Sequence, residues 1–326
     1  MDVLVLGGTR FVGRAVIADA LRREWQVTAL HRGITGSTPE GVESILVDRT
    51  DTAALTAAVA GRRWDLVVDT WSGAPRAATA AAAALAGRGG QYGYVSSCSV
   101  YEWGRHIDES SPLVAGDPDA ADGDYPALKR GAELGVLAAF PRALLARAGL
   151  ILGPYEDIGR LPWWLHRIAR GGPVVAPGRR ERPLQYIDAR DLAEWMLSAL
   201  AAGTTGGVDV IGPSGFATTA SLLDACIQAT GSDAQLVWVE EADLAQAGVQ
   251  PWTQLPCWVP EDGEFAGFLE ADTSHAAATG LAPRPLLDTV SDTWHWVRQS
   301  GLPPQREDRD THGLPPELER RLLGAA

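Results

Sequence analysis

Tyr125-Pro126-Ala127-Leu128-Lys129 sets a phenol and an ammonium four residues apart. On a helix that spacing is about one turn, so both side chains leave the same face. A phenol ordinarily titrates near pH ~10, too high for proton transfer near neutrality, and a neighbouring ammonium stabilises the phenolate. Such a pair can give and take a proton at an oxygen, although the same spacing also suits a solvated helix face. Upstream, Val95-Ser96-Ser97-Cys98-Ser99-Val100-Tyr101 closes an apolar run that reads as a buried strand. Open parallel sheets gather their ligands beyond the carboxyl ends of strands. A serine hydroxyl there can orient a carbonyl or alcohol and steady oxyanion charge. On chemistry alone Ser96, Ser97 and Ser99 compete for that role.

The elements that would position these groups alternate along the chain. Apolar runs at 1–6, 27–30, 45–47, 66–68, 92–96 and 143–152 read as strands, and helical spacing appears over 11–23, 52–59, 76–86 and 128–140. Strands alternating with helices at this spacing make right-handed βαβ units and a parallel sheet covered on both faces.

Gly7-Gly8-Thr9-Arg10-Phe11-Val12-Gly13 follows the first strand and opens the first helix. Gly7 permits a tight turn and Gly13 close packing of helix on strand. The free N–H groups and positive end of the helix suit a pyrophosphate. Thr9, Arg10, Phe11 and Val12 complete the expected dinucleotide contacts. Arg10 occupies a place where such turns often carry a glycine, and its cation can reach a phosphate. The second strand ends Leu30-His31-Arg32. An acid here binds the ribose 2′-hydroxyl of NAD, whereas Arg32 pairs with a 2′-phosphate. The sequence therefore favours NADP(H) over NAD(H), with His31 and Arg32 at the adenosine ribose. Asp48 is a candidate acceptor for the adenine amine, or equally a helix cap. The fold class expected is α/β, a Rossmann-type doubly wound parallel sheet with a smaller C-terminal α/β substrate lobe.

Taken in order, GGTRFVG (7–13), YVSSCSVYE (94–102), IDES (107–110), YPALK (125–129), ARAGLILGPYE (146–156) and LQYIDARDLAEW (184–195) resemble the extended short-chain dehydrogenase/reductases, the NAD-dependent epimerase/dehydratase family. A weaker match, TGLAPRPLLDTVSDTWHW (279–296), lies near the end. The resemblance implies a catalytic set of Ser97, Tyr125 and Lys129, with Lys129 also near the nicotinamide ribose. It implies a homodimer as one assembly seen among relatives. Two departures stand out. Sugar-nucleotide dehydratases carry Asp-Glu directly after the catalytic hydroxyl residue, where this chain has Cys98-Ser99. Sugar-nucleotide epimerases commonly carry Asn in RxxNxxGP, where Arg147 to Pro154 has Leu150. The arginine in the glycine turn is similar to an atypical branch that includes chloroplast RNA-associated proteins.

Beyond residue 154 the texture changes, and Pro and Trp become frequent. The division expected is a dinucleotide domain at 1–154 with 185–200, a substrate lobe at 155–184 and 201–298, and a tail at 299–326. The chain has 12 tryptophans, and Trp163, Trp164, Trp252 and Trp258 join Ser97 and Ser99 as candidate substrate contacts. A net charge of −13 argues against nucleic acid and anionic membranes. Three cysteines without a CxxC pair give no metal-ligand pattern and suit a reducing compartment. With a strand beginning by Val3 and no apolar run of ~18 residues, the expectation is a cytoplasmic protein. The function expected is an NADP(H)-dependent oxidoreductase interconverting carbonyl and alcohol on a small or medium, partly apolar metabolite. An epimerase with retained NAD(P), or a non-catalytic cofactor-binding or RNA-associated protein, is the alternative.

Overall fold

Eleven strands precede residue 211: β1 (Asp2–Leu6), β2 (Gln26–His31), β3 (Glu43–Leu46), β4 (Trp64–Asp69), β5 (Gly89–Ser97), β6 (Leu144–Ala148), β7 (Leu150–Leu152), β8 (Pro173–Pro177), β9 (Pro183–Leu184), β10 (Tyr186–Asp188) and β11 (Gly206–Val210). Seven of them form one sheet in the order β11-β6-β5-β4-β1-β2-β3, all parallel. The connection order reverses between β1 and β4, so the crevice for a ligand opens beyond Leu6 and Asp69. The computed structural model describes residues 1–104, 107–263, 267–304, 306 and 311–325.

β1 is buried on both faces because helices cover both. On one side α1 (Phe11–Arg22) and α6 (Ala189–Ala201) bury Val16, Ile17, Leu192 and Met196 against Val3 and Val5. On the other, α2 (Thr52–Ala58), α3 (Pro75–Leu85) and α4 (Tyr125–Ala139) bury Leu55, Ala78, Ala82 and Val136 against Leu4 and Leu6. The alanine run of α3 lets it lie close to α4, where a Cβ on Gly135 would fall 1.9 Å from Thr79 Oγ1.

The second core belongs to the lobe. It gathers α5 (Arg160–Ala169), α7 (Thr219–Thr230), α8 (Glu241–Gln246), α10 (Leu286–Ser300) and α11 (Pro316–Ala325), while α9 (Ser274–Ala278) lies against β11. Short pairs complete it: β8 with β13 (Gln235–Val239), β9 with β12 (Ala217–Thr218), and β14 (Pro251–Trp252) with β15 (Leu255–Pro256). The helix of the tail docks here through a buried ion pair, Arg167 to Glu319 at 2.8 Å.

Three features differ from the sequence expectation. The strand expected over 143–152 divides at Gly149, where a Cβ would stand 1.8 Å from Ile211 Cδ1. Its second half, β7, leaves the sheet and pairs with β10. α4 begins at Tyr125, before the apolar pattern starts, because Asp124 accepts from Ala127 N–H at 2.8 Å and Pro126 fits a first turn. The sheet also takes its edge strand β11 from beyond residue 201, where the sequence suggests that the lobe resumes. Among the described residues, no helix is long and apolar enough to cross a membrane.

Candidate active site

The glycine turn is fixed by close contact. Gly7 has φ +101°, and a Cβ there would meet Thr70 Oγ1 at 2.5 Å; Thr70 itself donates to Leu6 O at 3.0 Å. A Cβ on Gly13 would lie 2.1 Å from Gly7 O, so only glycine lets α1 start this near the turn. Gly8 faces a side-chain tip instead, with Ile17 Cδ1 at 2.4 Å from its ideal Cβ. Arg10 takes the N-cap position without a side-chain cap, and Phe11, Val12 and Gly13 follow it into the helix. Thr9 is buried, its hydroxyl 2.8 Å from Thr35 Oγ1. The arrangement leaves backbone N–H groups and the positive helix end facing the crevice, which fits a pyrophosphate. Arg10 is drawn towards the lobe instead, ion-paired with Asp157 at 3.4 Å.

At the end of β2 the two expected ribose contacts part company. His31 turns inward, accepting from Gly33 N–H at Nδ1 (3.1 Å) and meeting Ser44 Oγ at Nε2 (3.2 Å). Burial holds its imidazole below the usual range. Arg32 is exposed. Asp48 accepts from both the N–H and the hydroxyl of Thr50, at 2.9 and 2.7 Å, and these bonds, with a smaller contribution from Arg32, hold its carboxyl below the ordinary value.

Beneath the crevice lies a buried network that no spacing in the sequence announces. Arg49 makes a two-bond pair with Asp69 at 2.6 and 2.7 Å, and Tyr92 donates to Asp69 at 2.7 Å. Burial alone would raise the Asp69 carboxyl, but the Arg49 guanidinium keeps it below its ordinary value. Asp69 also accepts from Trp71 N–H at 3.0 Å, and the Arg49 guanidinium lies 4.9 Å from the Trp71 ring. This fixes the Trp71 carbonyl, which accepts from Lys129 Nζ at 2.8 Å.

Lys129 is buried one turn after Tyr125. Its Nζ also donates to Val95 O at 2.8 Å and to Tyr94 Oη at 3.1 Å. A ribose hydroxyl reaching this ammonium would compete with these acceptors for its donors. Tyr94 in turn donates to Trp71 O at 3.0 Å. Burial, the Asp69 charge and Tyr125 all push the Tyr94 phenol up, which keeps it a neutral donor. Tyr125 opens α4 and is 38% exposed. Ser97 closes β5, two residues past the carbonyl that holds Lys129, and bonds Ser99 through its Oγ at 3.1 Å.

A second buried network supports the serine loop. Ser96 donates to Glu133 at 2.7 Å, which removes Ser96 from the competition for substrate. Glu133 pairs with Arg147, Arg147 donates to Tyr101 Oη at 2.9 Å, and Tyr101 donates to Asp209 at 2.7 Å. Cys98 Sγ meets Arg147 O at 3.1 Å. Burial pushes the Asp209 carboxyl up to about 7. Glu109, of the IDES stretch, accepts from Asp209 N–H and meets His275 Nδ1 at 2.6 Å.

The model of the NAD dependent epimerase/dehydratase family matches residues 3–212. The chain belongs to that family. It is an NAD(P)-dependent enzyme of the short-chain dehydrogenase/reductase type. Solved structures share its fold. The Bordetella bronchiseptica enzyme WbmH, in complex with NAD+, has a TM-score of 0.71 at 15% identity, over 92% of this chain and 99% of that one. A putative epimerase from Burkholderia cenocepacia has 0.70 at 19%, over 92% and 98%. The Thermus thermophilus UDP-glucose 4-epimerase, in complex with NAD, has 0.67 at 21%, over 92% and 100%. The search of curated proteins found no match.

In this epimerase/dehydratase-family chain the tryptophans divide. Trp164 and Trp258 are core residues of the lobe, and Trp164 donates to Pro256 O at 2.7 Å. They line a void of only about 10 Å³, the size of one water, and so build no substrate pocket. Trp163 stacks edge-on to Trp164 and is covered by the tail at Gly313. Trp252 faces Phe268 at 5.1 Å between ring centroids, and Phe268 lies 4.5 Å from Trp103 of the serine loop. Leu150, at the position of the epimerase asparagine, is buried in the lobe core. Asp188 and Asp191 both hold Arg284, which joins the end of β10 and the start of α6 to the start of α10. Among the described residues no group of His, Cys, Asp and Glu could hold a metal ion.

Proposed function

We propose that the chain interconverts an alcohol and a carbonyl on a small or medium, partly apolar metabolite, using NADP(H) and the set Ser97, Tyr125 and Lys129. The observation that carries this is the Lys129 ammonium, buried and bonded to Val95 O and Trp71 O, both at 2.8 Å, one helical turn from the exposed Tyr125 phenol. Gly7, Gly13 and the uncapped start of α1 would hold the pyrophosphate. Thr9, Phe11 and Val12 line that turn, and Arg10 would reach a phosphate by leaving Asp157. Arg32, with no acid at the end of β2, would take the 2′-phosphate, and Asp48 keeps one oxygen clear of Thr50 for the adenine amine. A bound nicotinamide supplies hydride exchange at the carbinol carbon. Tyr125 gives or takes the proton of the substrate oxygen, Ser97 and Ser99 orient that oxygen, and Lys129 sets a positive charge one helical turn from Tyr125. Cys98-Ser99 and Leu150 leave no acid–base pair for water elimination and no amide at the epimerase position, which supports plain redox chemistry.

The reading is tested by thermal shift with NADPH against NADH and by a carbonyl panel followed through nicotinamide absorbance. A larger shift with NADPH that Arg32→Glu reverses is expected, together with net cofactor turnover that Tyr125→Phe abolishes. A larger shift with NADH would overturn the cofactor preference. The second reading is an epimerase that oxidises and re-reduces one carbon with retained cofactor, favoured by the likeness to NAD-bound epimerase structures. Nicotinamide that co-purifies and shows no net absorbance change during turnover would select it.

A further inference from the structure

Resting on that reading, one unused side chain speaks to the substrate itself. Arg160 opens α5, its guanidinium 5.1 Å from the centroid of Trp252. Among the described residues its side chain makes no hydrogen bond and no ion pair, and its Nε is sealed from solvent without an acceptor. A guanidinium carries five donors in a fixed fork and stays charged at any physiological pH. A buried donor left unmade calls for a partner. Glu156 attracts the guanidinium by charge but forms no hydrogen bond with it; Glu156 Oε1 and Oε2 accept from the backbone N–H groups of Arg160 and Leu161 at 2.8 and 3.0 Å.

The surroundings give that partner a shape. Trp252 has φ +64°, a left-handed conformation costly for a tryptophan, and its N–H donates to Trp258 O at 2.8 Å. The held ring meets Phe268 edge-on, at 76° between planes, and Phe268 tilts over Trp103. Trp103 follows Ser97 and Ser99 in the chain, and an aromatic row runs from it through Phe268 and Trp252 to Arg160. Asp157, three residues before Arg160, ion-pairs with Arg10, so the same segment borders the cofactor turn.

We infer that Arg160 and Trp252 form a carboxylate subsite, and that the substrate is an acid whose flat apolar body lies along Trp252, Phe268 and Trp103. The one guanidinium against the Trp252 ring matches a single negative charge.

The test uses benzoate, benzyl alcohol and phenyl phosphate as probes of the full chain, followed by tryptophan fluorescence and ligand-observed NMR. Benzoate is expected to bind at least tenfold more tightly than benzyl alcohol. Arg160→Gln should erase that difference while leaving benzyl alcohol binding and thermal unfolding as they were, and Arg160→Lys should restore part of it. Trp252→Leu should weaken both ring probes. Benzoate binding no tighter than benzyl alcohol, or unchanged in Arg160→Gln, overturns the subsite, and tighter binding of phenyl phosphate overturns its carboxylate assignment. Benzoate binding that depends on Arg160 in a protein that turns over no carbonyl would keep the subsite and sink the redox reading. Turnover without it would do the reverse.

Discussion

Gly13 is the tightest point of the cofactor turn, since an added methyl would press on the Gly7 carbonyl oxygen at 2.1 Å. Backbone cannot yield as a flexible side chain can. Gly13→Ala should therefore destabilise the protein by roughly 1–3 kcal/mol and abolish the thermal shift given by nicotinamide cofactors. A variant that binds cofactor normally would mean that α1 does not approach the turn this closely. Asp209 makes a pH prediction at the same scale. Burial lifts its carboxyl from 3.8 to about 7, so the folded state holds a proton that the unfolded state has lost. Its contribution to stability is full below pH ~4 and is lost as pH rises to about 7. Glu156, pushed up from 4.5 to about 7 by burial, acts in the same direction. Melting temperature measured from pH 4 to 8 should fall less steeply in Asp209→Asn than in the parent, and an unchanged slope would exclude Asp209 as a source.

Single elements carry the geometry of the groups proposed to react. α4 begins where Asp124 caps it, and that cap places Tyr125 at the first helical position and Lys129 one turn below. Asp124→Ala should cost about 1 kcal/mol and lower turnover more than cofactor affinity, with Asp124→Asn close to the parent. Equal losses in both would show that the cap does not frame Tyr125. On the facing strands, Asp69 neutralises the buried Arg49 and aims Trp71 at Lys129. Asp69→Asn leaves a buried guanidinium without its anion, and a loss of about 3–5 kcal/mol in denaturant unfolding is expected. A loss below 1 kcal/mol would show that the pair is solvated.

At the scale of the whole molecule, ion pairs cross between sheet and lobe. Asp157 holds Arg10 of the glycine turn at 3.4 Å and Arg306 of the tail at 3.2 Å, both at partly exposed positions. Exposed pairs are worth about 0–1 kcal/mol, so Asp157→Asn should barely change the melting temperature. It should tighten NADPH binding several-fold, because Arg10 is released to the phosphates. Weaker binding in this variant would mean that the ion pair shapes the site rather than competing for it.

The sheet and the site differ in how far residues reach along the chain. Buried apolar runs, the glycine turn and YxxxK are local patterns, and each dictates its element through sterics and burial of neighbouring residues. That is why the βαβ order was legible, and why the glycine turn and the Tyr125–Lys129 pair could be proposed from sequence, while Ser97 was singled out among three serines only by the family resemblance. The inward turn of His31, the core packing of Trp164 and Trp258, the departure of β7 from the sheet and the Arg49–Asp69 pair depend on contacts between distant segments. A tryptophan in a core and one beside a cleft have the same local sequence signature. What faces them is fixed only when the lobe closes around them, and the free guanidinium of Arg160 becomes visible only then.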